Sequence, residues 1–107
     1  DDILSVPGVD VAYIGPADLS VSLGFPPAPY HDDPKYAGAV QRVLDACRKH
    51  GVVPGFHGGN PANALARVGQ GFRFVEVCED MGAMARAAAA DLNAVRDGGA
   101  DPPRTYS

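Results

Sequence analysis

The sequence contains no apolar run approaching the ~20 residues needed to cross a bilayer, which excludes a membrane-spanning helix. It also lacks a basic stripe. Nine basic residues stand against thirteen acidic ones, a net charge of −4, which argues against a partner gripped by its phosphate backbone, nucleic acid above all. The only two cysteines, Cys47 and Cys78, cannot make a disulfide framework or a metal knuckle, and they suit a reducing, cytoplasmic setting. An initiating Met, a basic n-region and an apolar signal core are all missing from the opening Asp1-Asp2-Ile3. The chain runs almost at once into an apolar strand, so it reads as a piece of a longer polypeptide.

What is present is a globular composition. Hydrophobic residues make 46% of 107, ordinary for a single soluble domain. Thirteen glycines and ten prolines are many, but short of the low-complexity range.

Three strand-then-helix units follow one another. Val9 to Ile14 is a short run of β-branched, aromatic and aliphatic residues ended by Gly15-Pro16, the pattern of a parallel strand covered on both faces. A helical turn is expected over Asp18 to Leu23, and a Pro-rich loop leads on to Asp32-Asp33-Pro34. Asp33 suits an N-cap, with Pro34 at the first helical position. Tyr36, Val40, Val43, Leu44 and Cys47 then form one apolar stripe, and Gly51 follows a basic last turn.

The second strand spans residues 52–57, with Pro54 demanding a bulge or an unusual register. Asn60-Pro61 repeats the cap signal for a helix to about Val68, broken by Gly69 and Gly71. The third strand, Phe72 to Val77, leads through Glu79-Asp80 to a helix with Met81, Met84, Ala85, Ala88, Leu92 and Val95 on a stripe read as core. Gly98-Gly99 stops it, and residues 97–107 are expected to form a mobile tail.

Alternating strands and helices mean βαβ units and an α/β fold with a parallel sheet. Three such units leave both sheet edges open. A (β/α)₈ barrel uses ~250 residues, so the fold expected over 1–96 is the carboxyl-terminal three units of such a TIM barrel. A small flavodoxin-like sheet would need about five strands.

Gly15-Pro16-Ala17-Asp18-Leu19-Ser20 carries the most chemistry. It follows a strand directly, at the end where α/β folds bind ligands. Gly15 allows close backbone approach, and the amides of Ala17 and Asp18 can cradle a carboxylate. Asp18 either caps the short helix or offers a hard oxygen ligand to Mg²⁺ or Mn²⁺.

The stretch Gly8-Val9-Asp10-Val11-Ala12-Tyr13-Ile14-Gly15-Pro16-Ala17-Asp18-Leu19-Ser20, with Leu23-Gly24 after it, closely resembles the HpcH/HpaI family of class II pyruvate aldolases. The resemblance continues through Val53-Pro54-Gly55, Gly69 to Val77 and the closing helix, over roughly residues 3–96. It implies a barrel of the phosphoenolpyruvate/pyruvate-binding type and a divalent cation (Mg²⁺, Mn²⁺ or Co²⁺). It implies retro-aldol cleavage of a 4-hydroxy-2-oxo acid to pyruvate and an aldehyde. Asp18 would be one of two acidic metal ligands, and Gly15, Pro16, Ala17 and Asp18 the turn that holds the oxo-acid carboxylate. The family's second acidic ligand, its base-activating His and its Arg would lie before residue 1, so no catalytic residue is expected within this chain. The chain alone should bind metal weakly and turn nothing over. Related barrels exchange the closing helix between subunits, which implies a homo-oligomer.

His57 ends its strand at the same barrel face, where the family lines the aldehyde side of the pocket with apolar residues. It is either bonded to neighbouring backbone or sets a preference for polar aldehydes. His31 and His50 read as structural. Glu76, Cys78 and Glu79 replace small or apolar residues of the family pattern. Glu76 alternates with Val75 and Val77, so it would face the barrel interior and need a partner, an Arg earlier in the protein being one. Cys47 reads as packing, and Cys78 as a buried thiol rather than a reactive one. The rival reading is a non-catalytic α/β remnant or assembly module.

Overall fold

A computed structural model describes residues 1–98. The order is β1 (Val11–Ile14), α1 (Pro16–Ser22), α2 (Pro34–His50), β2 (Val53–His57), α3 (Pro61–Gln70), β3 (Phe74–Glu76) and α4 (Asp80–Arg96). The strands form a parallel sheet in the order β1-β2-β3. Two compact units result: Asp1–Val77, and a second from Cys78 onward. Of the tail expected over 97–107, residues 99–107 lie outside the described residues.

The caps act as their residue types predict. The Asp33 carboxylate accepts from Lys35 N at 2.7 Å, and Gly51 closes α2 in the left-handed region at φ 67°. Asn60 Oδ1 accepts from Asn63 N at 2.9 Å to start α3. Gly69 does not break that helix. It lies within the last turn, and Gly71, at φ 113°, ends it.

Along the strands, alternate residues face opposite sides. Ile14 and Phe56 join Tyr36, Val40 and Leu44 of α2 and Phe72 in one buried cluster. Phe56 and Phe72 meet edge to face at 5.1 Å, a geometry worth about 0.5–1.5 kcal/mol beyond the area buried. Arg67, only 4% exposed, closes this core. Its guanidinium lies 4.1 Å from the centre of the Phe56 ring while Nη1 donates to Gln70 Oε1. Burial pushes the Arg67 guanidinium below its usual range, and Tyr36 and Tyr30 oppose the shift.

The other side of the sheet differs from expectation. Val11, Tyr13, Val53 and Phe74 are between 37% and 58% exposed, so among the described residues of the first unit the strands are covered on one face only.

Pro54 needs no bulge. It pairs in register with Ala12, and its carbonyl accepts from Arg73 N at 2.9 Å. Pairing between β2 and β3 begins only at Gly55↔Phe74, so the missing N–H falls before the ladder starts.

In the second unit, α4 buries none of its residues. The Met81/Met84 stripe read as core is open, Met81 at 74% and Met84 at 70% exposure. Cys78, read as a buried thiol, is exposed, whereas Cys47 is buried as expected. Among the described residues no helix is long and apolar enough to cross a membrane.

Gly58 locks the end of β2. Its N–H donates to the Glu76 carbonyl at 3.1 Å, and a Cβ there would run into that same oxygen and into Ala64. Backbone cannot yield as a side-chain tip can. Gly58→Ala should therefore destabilise the protein by about 1–3 kcal/mol, read as a lower denaturant midpoint. An unchanged midpoint would mean that the loop after β2 is free to move.

Candidate metal and carboxylate site

The carboxyl ends of β1 and β2 open on a cleft of about 420 Å³ lined by Tyr13, Gly15, Pro16, Ala17, Asp18 and His57. All five residues singled out from the sequence therefore meet there, and Tyr13 joins them. A larger groove, about 950 Å³, runs beside α2 and the opening segment. Its lining is mostly apolar, and at its rim Asp1 already takes Lys49 at 3.1 Å and His50 at 2.9 Å. The smaller cleft holds the convergent polar groups.

Its floor is the start of α1. Pro16 has no N–H, and Leu19 N is bonded to the Gly15 carbonyl at 2.9 Å. The amides of Ala17 and Asp18, in the first turn, precede any intrahelical acceptor. Gly15 is the N-cap, and α1 has no side-chain cap. Capping is therefore not what Asp18 does. Its exposed carboxylate folds back over Gly15, where Oδ2 would lie 2.6 Å from an added Cβ. That leaves a hard, anionic oxygen pair open to the cleft, the donor type a divalent cation prefers. Among the described residues no group of three or more His, Cys, Asp or Glu comes together to hold a metal by itself. Asp18 thus fits a divalent cation as a single ligand, and the described residues supply no complete set.

The wall comes from the open face of the sheet. Gly55 has no Cβ, which would meet Tyr13 Cδ2 at 2.7 Å, so the Tyr13 ring lies across it. That ring meets Phe74 edge on at 5.9 Å and His57 at 6.5 Å. Tyr13 Oη is 3.3 Å from His57 Nδ1, and Glu76 Oε2 is 3.7 Å from the same nitrogen. Glu76 Oε2 also accepts from Gly59 N at 2.7 Å. Glu76 thus finds partners at the end of β2 and just beyond it, although its Oε1 is buried without one among the described residues. Partial burial first, and the Glu76 charge second, push the Tyr13 phenol above its ordinary range.

Tyr13 and the link from His57 to Glu76 were not singled out from the sequence. The signal was there in the alternation, since Tyr13 stands two residues before Gly15 and Glu76 two after Phe74. The other histidines are structural: His31 stacks on Phe25 at 4.8 Å and its Nε2 contacts the Pro26 carbonyl, and His50 meets Asp1.

A parallel sheet with a helix after each strand and a carboxylate-bearing turn at a strand end defines a protein of the strand–helix repeat class. More narrowly, the chain belongs to the HpcH/HpaI aldolase/citrate lyase family, whose model matches residues 1–87. It is 42% identical over 84 residues to a 2-keto-3-deoxy-L-rhamnonate aldolase of Salmonella schwarzengrund, covering 75% of this chain and 29% of that protein. A hydroxypyruvate/pyruvate aldolase of Paraburkholderia phytofirmans is 35% identical over 96 residues, 90% of this chain and 36% of its own length. The chain therefore spans about a third of these relatives. A crystal structure of an HpcH/HpaI aldolase/citrate lyase family protein from Burkholderia cenocepacia superposes with a TM-score of 0.79 at 37% identity, over 88% of this chain and 36% of that one. A citrate synthase variant superposes at 0.70 with 27% identity, over 92% of this chain and 43% of that one.

Proposed function

We propose that the chain is the carboxyl-terminal part of a (β/α)₈ lyase that cleaves a 4-hydroxy-2-oxo acid to pyruvate and an aldehyde. The observation that carries this reading is the Asp18 carboxylate, free of capping duty, above a glycine and beside the first-turn amides of Ala17 and Asp18. In the reaction the C4 hydroxyl loses its proton, the C3–C4 bond breaks to leave an aldehyde, and the electron pair passes towards the C2 carbonyl. Protonation at C3 completes pyruvate. Asp18 would hold a divalent cation, which would supply positive charge where the enolate oxygen develops. The amides of Ala17 and Asp18 hold the oxo-acid carboxylate and orient the chain of the substrate. The open sheet face, with Tyr13 and His57, takes the aldehyde half. The groups that move the C4 proton belong to the rest of the complete protein. We further propose that α4 carries a contact between copies, on its open apolar stripe.

Assay of the complete protein with Mn²⁺ or Mg²⁺ and a panel of 4-hydroxy-2-oxo acids should release pyruvate. No pyruvate from any of them overturns the reading. His57→Leu in the same protein should shift kcat/KM towards apolar aldehydes, by about 10-fold in the ratio between a polar and an apolar one. An unmoved ratio would remove His57 from the aldehyde pocket.

A further inference from the structure

Glu76 breaks a rule that its strand otherwise keeps. It is the acidic member of Phe74–Glu76, with Val75 before it and Val77 after it, and one of its oxygens is buried with no partner among the described residues. A half-satisfied carboxylate costs stability, and sheet pairing does not require it. Such departures mark positions kept for another reason.

The geometry names one. Glu76 is in register with His57, and Tyr13 stands across Gly55 on the same face. His57 Nδ1 therefore faces two oxygens, Tyr13 Oη at 3.3 Å and Glu76 Oε2 at 3.7 Å. The first is within hydrogen-bonding reach; the second is a charge contact. A carboxylate only accepts, so a lone pair on Nδ1 would be repelled by it, while a hydrogen on Nδ1 is attracted. With that hydrogen on Nδ1, Tyr13 Oη accepts from His57, and its own O–H is left to donate elsewhere. In the neutral ring Nε2 then carries the lone pair. The sheet side of the cleft thus offers a donor, the Tyr13 O–H, and a ring whose free nitrogen is an acceptor.

We propose that Glu76 is a positioning residue: it fixes the His57 tautomer with hydrogen on Nδ1, which makes Tyr13 and His57 a donor–acceptor pair for a hydroxyl-bearing aldehyde. A hydroxyl both donates and accepts, so it satisfies the two groups together. An aldehyde without one displaces water from both groups and gives them no partner in return, which is a basis for rejection. The substrate class rests on the aldolase reading; the tautomer does not.

The experiment uses the complete protein labelled with ¹⁵N-histidine, the His57 signal being the one lost in His57→Leu. Nuclear magnetic resonance should report hydrogen on Nδ1 of His57, and Glu76→Gln, which keeps an oxygen for Gly59 N but removes the charge that attracts that hydrogen, should move it to Nε2. Kinetics then compare the 4-hydroxy-2-oxo acid derived from glycolaldehyde with that from acetaldehyde, which differ by one hydroxyl. Glu76→Gln should lower the preference for the hydroxylated substrate by about 10-fold. If Glu76→Gln fails to fold, Tyr13→Phe removes the donor and should lower the same ratio by about fivefold. Hydrogen on Nε2 in the unmodified protein, a tautomer unmoved in Glu76→Gln, or a ratio unmoved in the variants overturns the proposal. A protein that cleaves neither these two nor any other of the panel but shows the tautomer switch overturns the aldolase reading and the substrate class while leaving Glu76 as the positioning group.

Discussion

Asp18→Ala in the complete protein should lower kcat/KM for retro-aldol cleavage by about a thousandfold and weaken Mn²⁺ binding, while the fold survives. The size follows from what a charged group aimed at a developing oxyanion supplies, about 10²–10³ for a single neutral donor and more where a cation is lost with it. Survival of the fold follows from the structure. Asp18 makes no capping hydrogen bond to α1, so its structural contribution is limited to the favourable placing of an acid in a first helical turn, about 0.3–1 kcal/mol. Calorimetric titration with Mn²⁺, thermal melting and a pyruvate assay on one preparation separate the two effects. Asp18→Asn refines the test, because it keeps an oxygen donor and the side-chain shape but loses the charge. It should fold as the parent does and bind the metal poorly. If Asp18→Ala keeps both its metal and its rate, the carboxylate serves only the helix dipole, and the proposed chemistry has no anchor in this chain.

The parts of the fold that were legible are those decided locally. Asp33 with Pro34, and Asn60 with Pro61, announce helix starts because a side-chain oxygen and a missing N–H solve the same shortage of acceptors there. The stripe from Tyr36 to Cys47 is buried where its spacing said, because one side of α2 must meet the sheet. The Gly15–Asp18 turn was visible too, since only a strand end needs that run of residues. What stayed hidden depends on neighbours across the sheet. Pro54 forbids a ladder bond only if a partner strand stands beside its nitrogen, and here that strand begins one residue later. Arg67 was not singled out from the sequence, and only the Phe56 ring across from it gives its flat guanidinium a place in the core. The Met81 and Met84 stripe has helical spacing, which reports amphipathicity and says nothing of what covers it. The association of Glu76 with His57 required the register between β2 and β3, and no local pattern sets that.

Gly15→Ala is the sharper companion to Asp18→Ala, because it leaves every polar group in place. Gly15 sits at φ −86° and ψ 110°, a conformation any residue adopts, so alanine introduces no backbone strain. Two stability effects of similar size oppose one another: alanine is a poorer N-cap than glycine, and it restricts the unfolded chain by about 0.4–1 kcal/mol. The melting temperature should therefore move little. The new methyl, however, lands 2.6 Å from Asp18 Oδ2, closer than non-bonded atoms approach, and the side chain must turn away. A carboxylate rotated by one staggered well no longer stands over the turn. The expected result is a loss of about 100-fold in kcat/KM with weaker Mn²⁺ binding at unchanged stability, since small displacements of positioned groups cost on that scale. The comparison with Asp18→Ala is what gives the experiment force. If Gly15→Ala behaves like the parent, the orientation of the carboxylate over the turn is irrelevant, even if its charge matters. If it approaches Asp18→Ala while melting normally, the place of the oxygen, and not merely its presence, sets the activity.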